Sequence, residues 1–479
     1  MKKISQFLGS REGLLAQGVY FSTVGLFAFS SLLYLISLLH STIVHRAMYA
    51  DGSFFFVSAL VNGFSDDGKH QRLFVNLINQ FPMNLGRFFG ITGYAELGYL
   101  YDGAVFILPF LLVFFATFFL AKKRLYGEAL AILFLFIVFI IPSTIFIINP
   151  AIGFFAILSL VVACTIMLDS GHDVRIPLFS FSLLLFRSHE TALFIAPVFA
   201  LHSIFRYLKK RDKFFLLLAS TYAGVMTYSF WWGVSHPVAT QTSGYINLIF
   251  QIMGAFDYYL KRTNLLYSVF GFFVALFVII NRMLKTKRQM RVRKFVIDLI
   301  LPLLLVPIFT IHLCIMVSRH GQFPQSEFDL RVLITVASVI ISLLVFLPRK
   351  FFAKYVHNTQ IIFVLSIMLL FHSFWQMSHN IRWRRFYVSS TEQILNADKT
   401  TRINLDTLSE NRYEWLWTWP VFSVVLQEGH ARVLSMPWKP SELDNQIRLP
   451  KDENDVVSLP FCTWKQGELF TVKEYRDEK

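Results

Sequence analysis

Ile176-Pro-Leu-Phe-Ser-Phe-Ser-Leu-Leu-Leu-Phe186 is an apolar run of eleven residues, about half of what a straight helix needs to cross a bilayer. Whether it crosses decides the topology of everything after it. If it does, the basic clusters Lys122-Lys123-Arg124, Ser170–Arg175, Lys209–Lys213, Arg282–Lys294 and Arg349–Lys354 all fall on one side, with Lys2, Lys3 and Arg11. Basic loops concentrate on the cytoplasmic face, so the N-terminus is expected there. If the run does not cross, Arg282–Lys294 is thrown to the other face. The run is therefore expected to cross, tilted or partly unwound where protein shields it.

Working outward from it, apolar runs mark spans at Gln17–His40, Ala104–Leu120, Ala129–Ile147, Ala151–Leu168, Thr191–Phe205 and Phe214–Trp231. Four more follow at Leu265–Ile280, Phe295–Val317, Val332–Leu347 and Ile361–Met377, which makes eleven with the short run. Composition agrees with this reading: 55% of residues are hydrophobic, 17% aromatic and 16% charged. The net charge of +15 lies in the short inner loops rather than on one basic face with interleaved aromatics. That distribution attracts anionic lipid head groups and excludes nucleic acid as a partner. Cys164, Cys314 and Cys462 are too scattered for a metal motif or a disulfide framework. The first span is too long for a cleaved signal core and reads as a retained anchor.

Two regions then face outward at length. The loop 41–103 contains Gln71-Arg-Leu-Phe-Val-Asn-Leu-Ile-Asn79, whose Leu73, Phe74, Leu77 and Ile78 share a face suited to lying in the membrane interface. Residues 380–479 turn charged, with Pro420, Pro437, Pro440, Pro450 and Pro460 as punctuation and β-like runs at Val421–Leu426, Val456–Leu459 and Leu469–Val472. The expected fold class is an all-α polytopic membrane protein of about eleven transmembrane helices, with interfacial helices in the first outer loop. A transmembrane domain covers residues 1–379, and a small C-terminal α+β extracytoplasmic domain covers 380–479.

Several ionisable residues in the outward regions are candidates for chemistry. Asp51 opens the run Asp51-Gly-Ser-Phe-Phe-Phe56 just beyond the first span. It suits a helix N-cap, and it can equally take a proton from an acceptor hydroxyl or amine. Asp66 and Asp67 form a turn-like carboxylate pair, enough to hold a divalent cation if a third ligand converges, although solvated turns use the same residues. Arg72 has the guanidinium fork that grips phosphate, or serves as an interfacial anchor. Arg187-Ser-His189-Glu190 interrupts two apolar segments. Arg187 and Glu190 can pair at i, i+3, and His189 with Glu190 would make a polar cluster in a cavity. Arg319, in a third outer cluster with His320, is another possible phosphate contact. No phosphate-binding loop, dinucleotide fingerprint, zinc-protease motif or nucleophile elbow occurs in a supporting context.

An inside N-terminus, about eleven spans, a long first outer loop opened by Ala50-Asp51-Gly52, interfacial helices in that loop and a C-terminal outer domain resemble the GT-C superfamily of membrane glycosyltransferases. Bacterial aminoarabinose transferases and protein mannosyltransferases share that layout. The resemblance implies an inverting enzyme of the cell inner membrane that acts on cell-envelope glycan. A sugar would move from a polyprenyl-phosphate donor to a glycan, lipid or protein acceptor. Asp51 is implied as base, with Arg187, Arg319 or Arg72 on the leaving phosphate. Many members carry Asp-Glu where this chain has Asp51-Gly52, so Asp66, Asp67 or Asp102 would have to supply a second acid. A glycan polymerase or ligase, and a secondary transporter or flippase, are the competing readings.

Overall fold

The computed structural model describes residues 11–49, 51–64, 72–142, 151–189, 191–235, 334, 337–347 and 359–396, with short pieces at 403–404, 422, 425–426, 435–436, 456–459 and 462–465. The spans expected at 265–280 and 295–317 lie outside these residues, as do Asp66, Asp67, Glu190 and Arg319.

Helix dominates what is described. The helices are α1 (Arg11–Ile43), α2 (Asp51–Asn62), α3 (Leu73–Phe88), α4 (Tyr94–Lys122) and α5 (Tyr126–Leu135). They continue with α6 (Ala151–Asp169), α7 (Arg175–Leu184), α8 (Ala192–Lys210), α9 (Lys213–Ser235) and α10 (Thr359–Leu395). Runs of Leu, Ile and Phe in a lipid environment must satisfy every backbone group internally, and the helix does this within one segment. Among the described residues six helices are long and apolar enough to cross a membrane: Thr23–Ile43, Tyr94–Lys122, Ile152–Asp169, Ala192–Lys210, Lys213–Trp232 and Ile361–Leu395. Helix α5 runs on through a π turn at Phe136–Ile140. The short apolar run forms α7 and then a 3-10 turn, Leu185–Arg187.

The chain forms two compact units. One comprises Met1–Tyr34, His236–Val332 and Arg349–Ser373; the other comprises Leu35–Ser235, Leu333–Pro348 and Phe374–Lys479. In the first unit the described residues are the leading parts of α1 and α10. At the centre of the second unit stands α6, 89% of whose apolar window is buried, touching α4, α7 and the end of α3. Helices α8 and α9 form a hairpin closed by Arg211 in the left-handed conformation. There Arg175 Nη2 donates to Asp212 Oδ2 at 2.9 Å, so the start of α7 and the α8–α9 turn share one end of the bundle. At the opposite end the ring of His189 lies 5.5 Å from that of Phe154 near the start of α6. Residues 175–189 thus run alongside α6.

Two helix limits depart from the sequence expectation, and both extend apolar runs into polar flanks. Helix α4 starts at Tyr94, ten residues before Ala104, so Asp102 belongs to a helix and not to a loop. Leu97 and Tyr101 are buried along this added stretch, and their packing outweighs the intervening polar residues. Helix α10 continues past Met377 to Leu395 without proline or glycine. In the tail, Val456–Leu459 forms a strand paired antiparallel with Cys462–Lys465, and Ile403–Asn404 pairs parallel with Ser435–Met436. Val421–Leu426 departs from the expected strand: Phe422, Val425 and Leu426 are helical and buried. Phe422 packs on Trp383 and Phe386 of α10, which favours helical spacing over alternation.

A polar seam joins the end of α1 to α10. Asn380 Nδ2 donates to the Ser37 carbonyl at 3.0 Å, Ser41 Oγ lies 3.0 Å from Asn380 Oδ1, and Gln376 Nε2 donates to Ser41 Oγ at 3.0 Å. Trp383 Nε1 donates to the Val44 carbonyl at 2.9 Å, and Ser41, Gln376, Asn380 and Trp383 are all buried. Between membrane helices such bonds contribute about 1–2 kcal/mol. Asn380→Ala should therefore lower stability by about that amount. Thermal unfolding in detergent checks it, and an unchanged melting temperature would show the seam to be passive.

Candidate functional site

The residues between α1 and α2 build the most constrained polar arrangement of the described chain. Helix α1 ends at Ile43, and His45 turns the backbone through the left-handed region (φ 51, ψ 43) into a 3-10 turn, Arg46–Met48. A non-glycine residue there is uncommon and is held by its surroundings. Here Asp102 of α4 does the holding. Its Oδ1 accepts the Ala47 backbone N–H at 2.7 Å, and its Oδ2 lies 2.8 Å from His45 Nδ1. The Asp102 side chain has no exposed surface, whereas His45 keeps 17%. The imidazole also stacks on Tyr99, with ring centroids 4.4 Å apart.

Arg46 follows at 1% exposure, its guanidinium 4.9 Å from the ring of Tyr49 and 5.2 Å from that of Trp383. A desolvated guanidinium over two aromatic faces gains from both quadrupoles. Neither His45 nor Arg46 was a candidate on sequence grounds. The available signal was their placement: two basic residues directly after the first span, on the side where the charge pattern leaves few.

Asp51 is the first residue of α2, in the helical turn where a negative charge is favoured. Helix α2 ends at Asn62, and Gly63 follows with φ +80, the left-handed stop that glycine supplies. The glycine after Asp51 has a steric cause. A Cβ on Gly52 would lie 1.6 Å from the Ala47 carbonyl oxygen, so no larger residue, glutamate included, fits this backbone. Asp102 does not replace a second acid in simple fashion, because both its oxygens already serve the turn.

Helix α3 packs across this end of the bundle, touching α4, α6 and the Leu185–Arg187 turn. Its inner face is mixed, with Val75 and Met83 fully buried beside three amides. Asn76, Asn79 and Gln80 are buried, whereas Phe81, Leu85 and Phe88 are exposed. Leu73, Phe74, Leu77 and Ile78 are intermediate and continue the apolar outer face expected of an interfacial helix. Arg87 ties α3 to α2 by donating from Nη1 to the Leu60 carbonyl at 3.0 Å. Asn79 Oδ1 is buried without a hydrogen-bond partner, close to where a Cβ on Gly153 would sit.

Arg72 is the residue preceding α3 and makes no side-chain cap bond to it. Arg187 ends the 3-10 turn that α3 touches, and is half-buried. His189 caps the next helix: Thr191 N donates to its Nδ1 at 3.2 Å, with the Thr191 hydroxyl 2.9 Å away. The structure thus brings Arg187, His189 and the buried amides of α3 to one end of the bundle. His45 and Asp102 stand at the same end, where α1 finishes and α4 begins.

A second ionic cluster, also absent from the sequence candidates, lies at the opposite end. Asp169 Oδ2 is 2.9 Å from His202 Nε2 and 2.5 Å from Arg206 Nη2. His202 and Arg206 are one turn apart on α8, and they lock the end of α6 to it. Among the described residues no group of three His, Cys, Asp or Glu side chains could hold a metal ion.

Gly52→Ala tests the tight approach of α2 to the turn. The methyl must displace the Ala47 carbonyl, and with it the N–H that Asp102 accepts. The expected cost is about 1–3 kcal/mol, read as a lower melting temperature in detergent; wild-type stability would show that the backbone yields freely. No family model, no curated protein and no solved structure matches this chain.

Proposed function

We propose that this chain is a membrane glycosyltransferase of the GT-C plan, moving a sugar from a polyprenyl-phosphate donor to an acceptor outside the cytoplasm. In this reading the bundle has about eleven spans, its N-terminus faces the cytoplasm, and residues 380–479 form an extracytoplasmic α+β domain. The observation that carries the reading is the polar content of the inner face of α3. A helix of the first loop is laid over the bundle with Asn76, Asn79 and Gln80 turned inward and its phenylalanines outward. Buried amides are suited to pairing with sugar hydroxyls, and the neighbouring Arg187 is suited to phosphate.

The chemistry follows from the residue types. Asp51 takes a proton from the acceptor hydroxyl or amine, the acceptor attacks the anomeric carbon, and the bond to the phosphate oxygen breaks with inversion. Arg187 and Arg72 meet the charge that builds on the phosphate. A transporter would work only across a sealed compartment, whereas transfer proceeds in detergent with donor and acceptor alone.

Asp51→Asn should reduce transfer by about 10²–10⁴-fold, the scale of a lost general base, with an unchanged melting temperature. Full activity would remove Asp51 from the mechanism. Arg187→Ala should raise the KM for the lipid-linked donor and leave that for the acceptor unchanged. Equal shifts in both would give Arg187 a structural role only.

A further inference from the structure

We propose that His45, oriented by Asp102, is the group that protonates the leaving phosphate oxygen of the lipid-linked donor. This rests on the transferase reading above and names a residue for the half of the reaction that Asp51 does not serve.

Three observations converge on it. The imidazole is fixed from behind: Nδ1 is 2.8 Å from Asp102 Oδ2, and the ring stacks on Tyr99. Nε2 makes no hydrogen bond with any described residue, and 17% of the side chain stays exposed. With Nδ1–H donated to the carboxylate, Nε2 is the position through which a proton enters or leaves. Second, the ring lies two residues beyond the apolar helix α1, whose Ile36, Leu39 and Ile43 remain exposed. That is head-group depth, where the phosphate of an isoprenoid carrier resides while its chain stays in the leaflet. Third, left-handed residues close other helices here as well, at Arg124 and Arg211, but both of those side chains point to solvent. Only at His45 does a buried carboxylate hold the side chain in place. A structural clamp would need no more than the bond from Ala47 N–H to Asp102.

The step balances as follows. The acceptor O–H proton passes to the Asp51 carboxylate and the acceptor oxygen bonds to the anomeric carbon. The bond from that carbon to the phosphate oxygen breaks, its electron pair staying on oxygen. The imidazolium Nε2–H proton then moves to that oxygen, and solvent exchange returns His45 and Asp51 to their starting states. Asp102 is a positioning residue throughout.

The test uses the full chain in detergent, with a phosphate-linked and a pyrophosphate-linked donor. His45→Gln should lower transfer from the phosphate-linked donor about 10²-fold. From the pyrophosphate-linked donor, whose leaving oxygen is less basic, the loss should be severalfold smaller. Asp102→Asn should show the same leaving-group dependence at a smaller amplitude, which a merely structural role would not produce. Equal losses with both donors, or none, would overturn the proposal while the transferase reading stands.

Direct binding separates the two failures. A fluorescent polyprenyl phosphate should bind His45→Gln about tenfold more weakly than wild type. The same variant should bind nanodiscs of phosphatidylglycerol, a phosphate diester, as wild type does. Equal weakening toward phosphatidylglycerol would make His45 an ordinary head-group anchor and sink the proposal. If the wild type transfers nothing yet its polyprenyl phosphate binding depends on His45, the transferase reading falls, and with it the protonation step, leaving only a phosphate site.

Discussion

The Asp102 carboxylate is the constraint on which this end of the molecule depends. One oxygen holds a backbone N–H of the turn after α1, and the other holds an imidazole. The turn delivers the chain into α2 so closely that position 52 admits no side chain. Move the carboxylate, and the Ala47 carbonyl, the start of α2 and the placement of Asp51 move with it. A buried carboxylate without these two donors would be costly in a low-dielectric setting. The two donors and the acid therefore depend on one another, across 57 positions of sequence.

Polar residues inside this bundle divide into two kinds. Ser37, Ser41, Gln376 and Asn380 bond to one another and to backbone, and they align α1 with α10. Asp169, His202 and Arg206 do the same for α6 and α8. Asn79 of α3 and the imidazole of His45 stand apart from these ties. Asn79 Oδ1 is buried with no partner, and the His45 ring is anchored on one nitrogen only. Both stand at the end of the bundle where Arg187 lies, whereas Asp169 Oδ1, also buried without a partner, stands at the other.

The positions of the helices were legible in the sequence because the apolar run that makes a span is local. The short run ending at Phe186 is helical over Arg175–Leu184, and its hydrophobicity marks that helix without a packing partner to consult. The outward apolar face of α3 was legible for the same reason. Helix ends were not. Tyr94–Gly103 carries Glu96 and Asp102, and only the burial of Leu97 and Tyr101 shows that it is helix. The site was legible only in part. Asp51 and Arg187 stood out by position, but His45 and Arg46 gain meaning from Asp102, Tyr99 and Trp383, each far away in sequence. Pairings of that kind leave no period or spacing to read.

Helix α3 has one more consequence. Phe81, Leu85, Phe88 and Phe89 are 54%, 40%, 83% and 72% exposed, a wedge of apolar side chains on the outer side of a helix that also touches the Leu185–Arg187 turn. Insertion of such a wedge is resisted by tightly packed lipids and eased by packing defects or curvature. The Arg87 tie to the end of α2 passes any tilt of the wedge on to the helix that begins at Asp51. The lateral pressure of the surrounding leaflet thus acts mechanically on the polar interior, making the composition of the membrane a variable of the site itself.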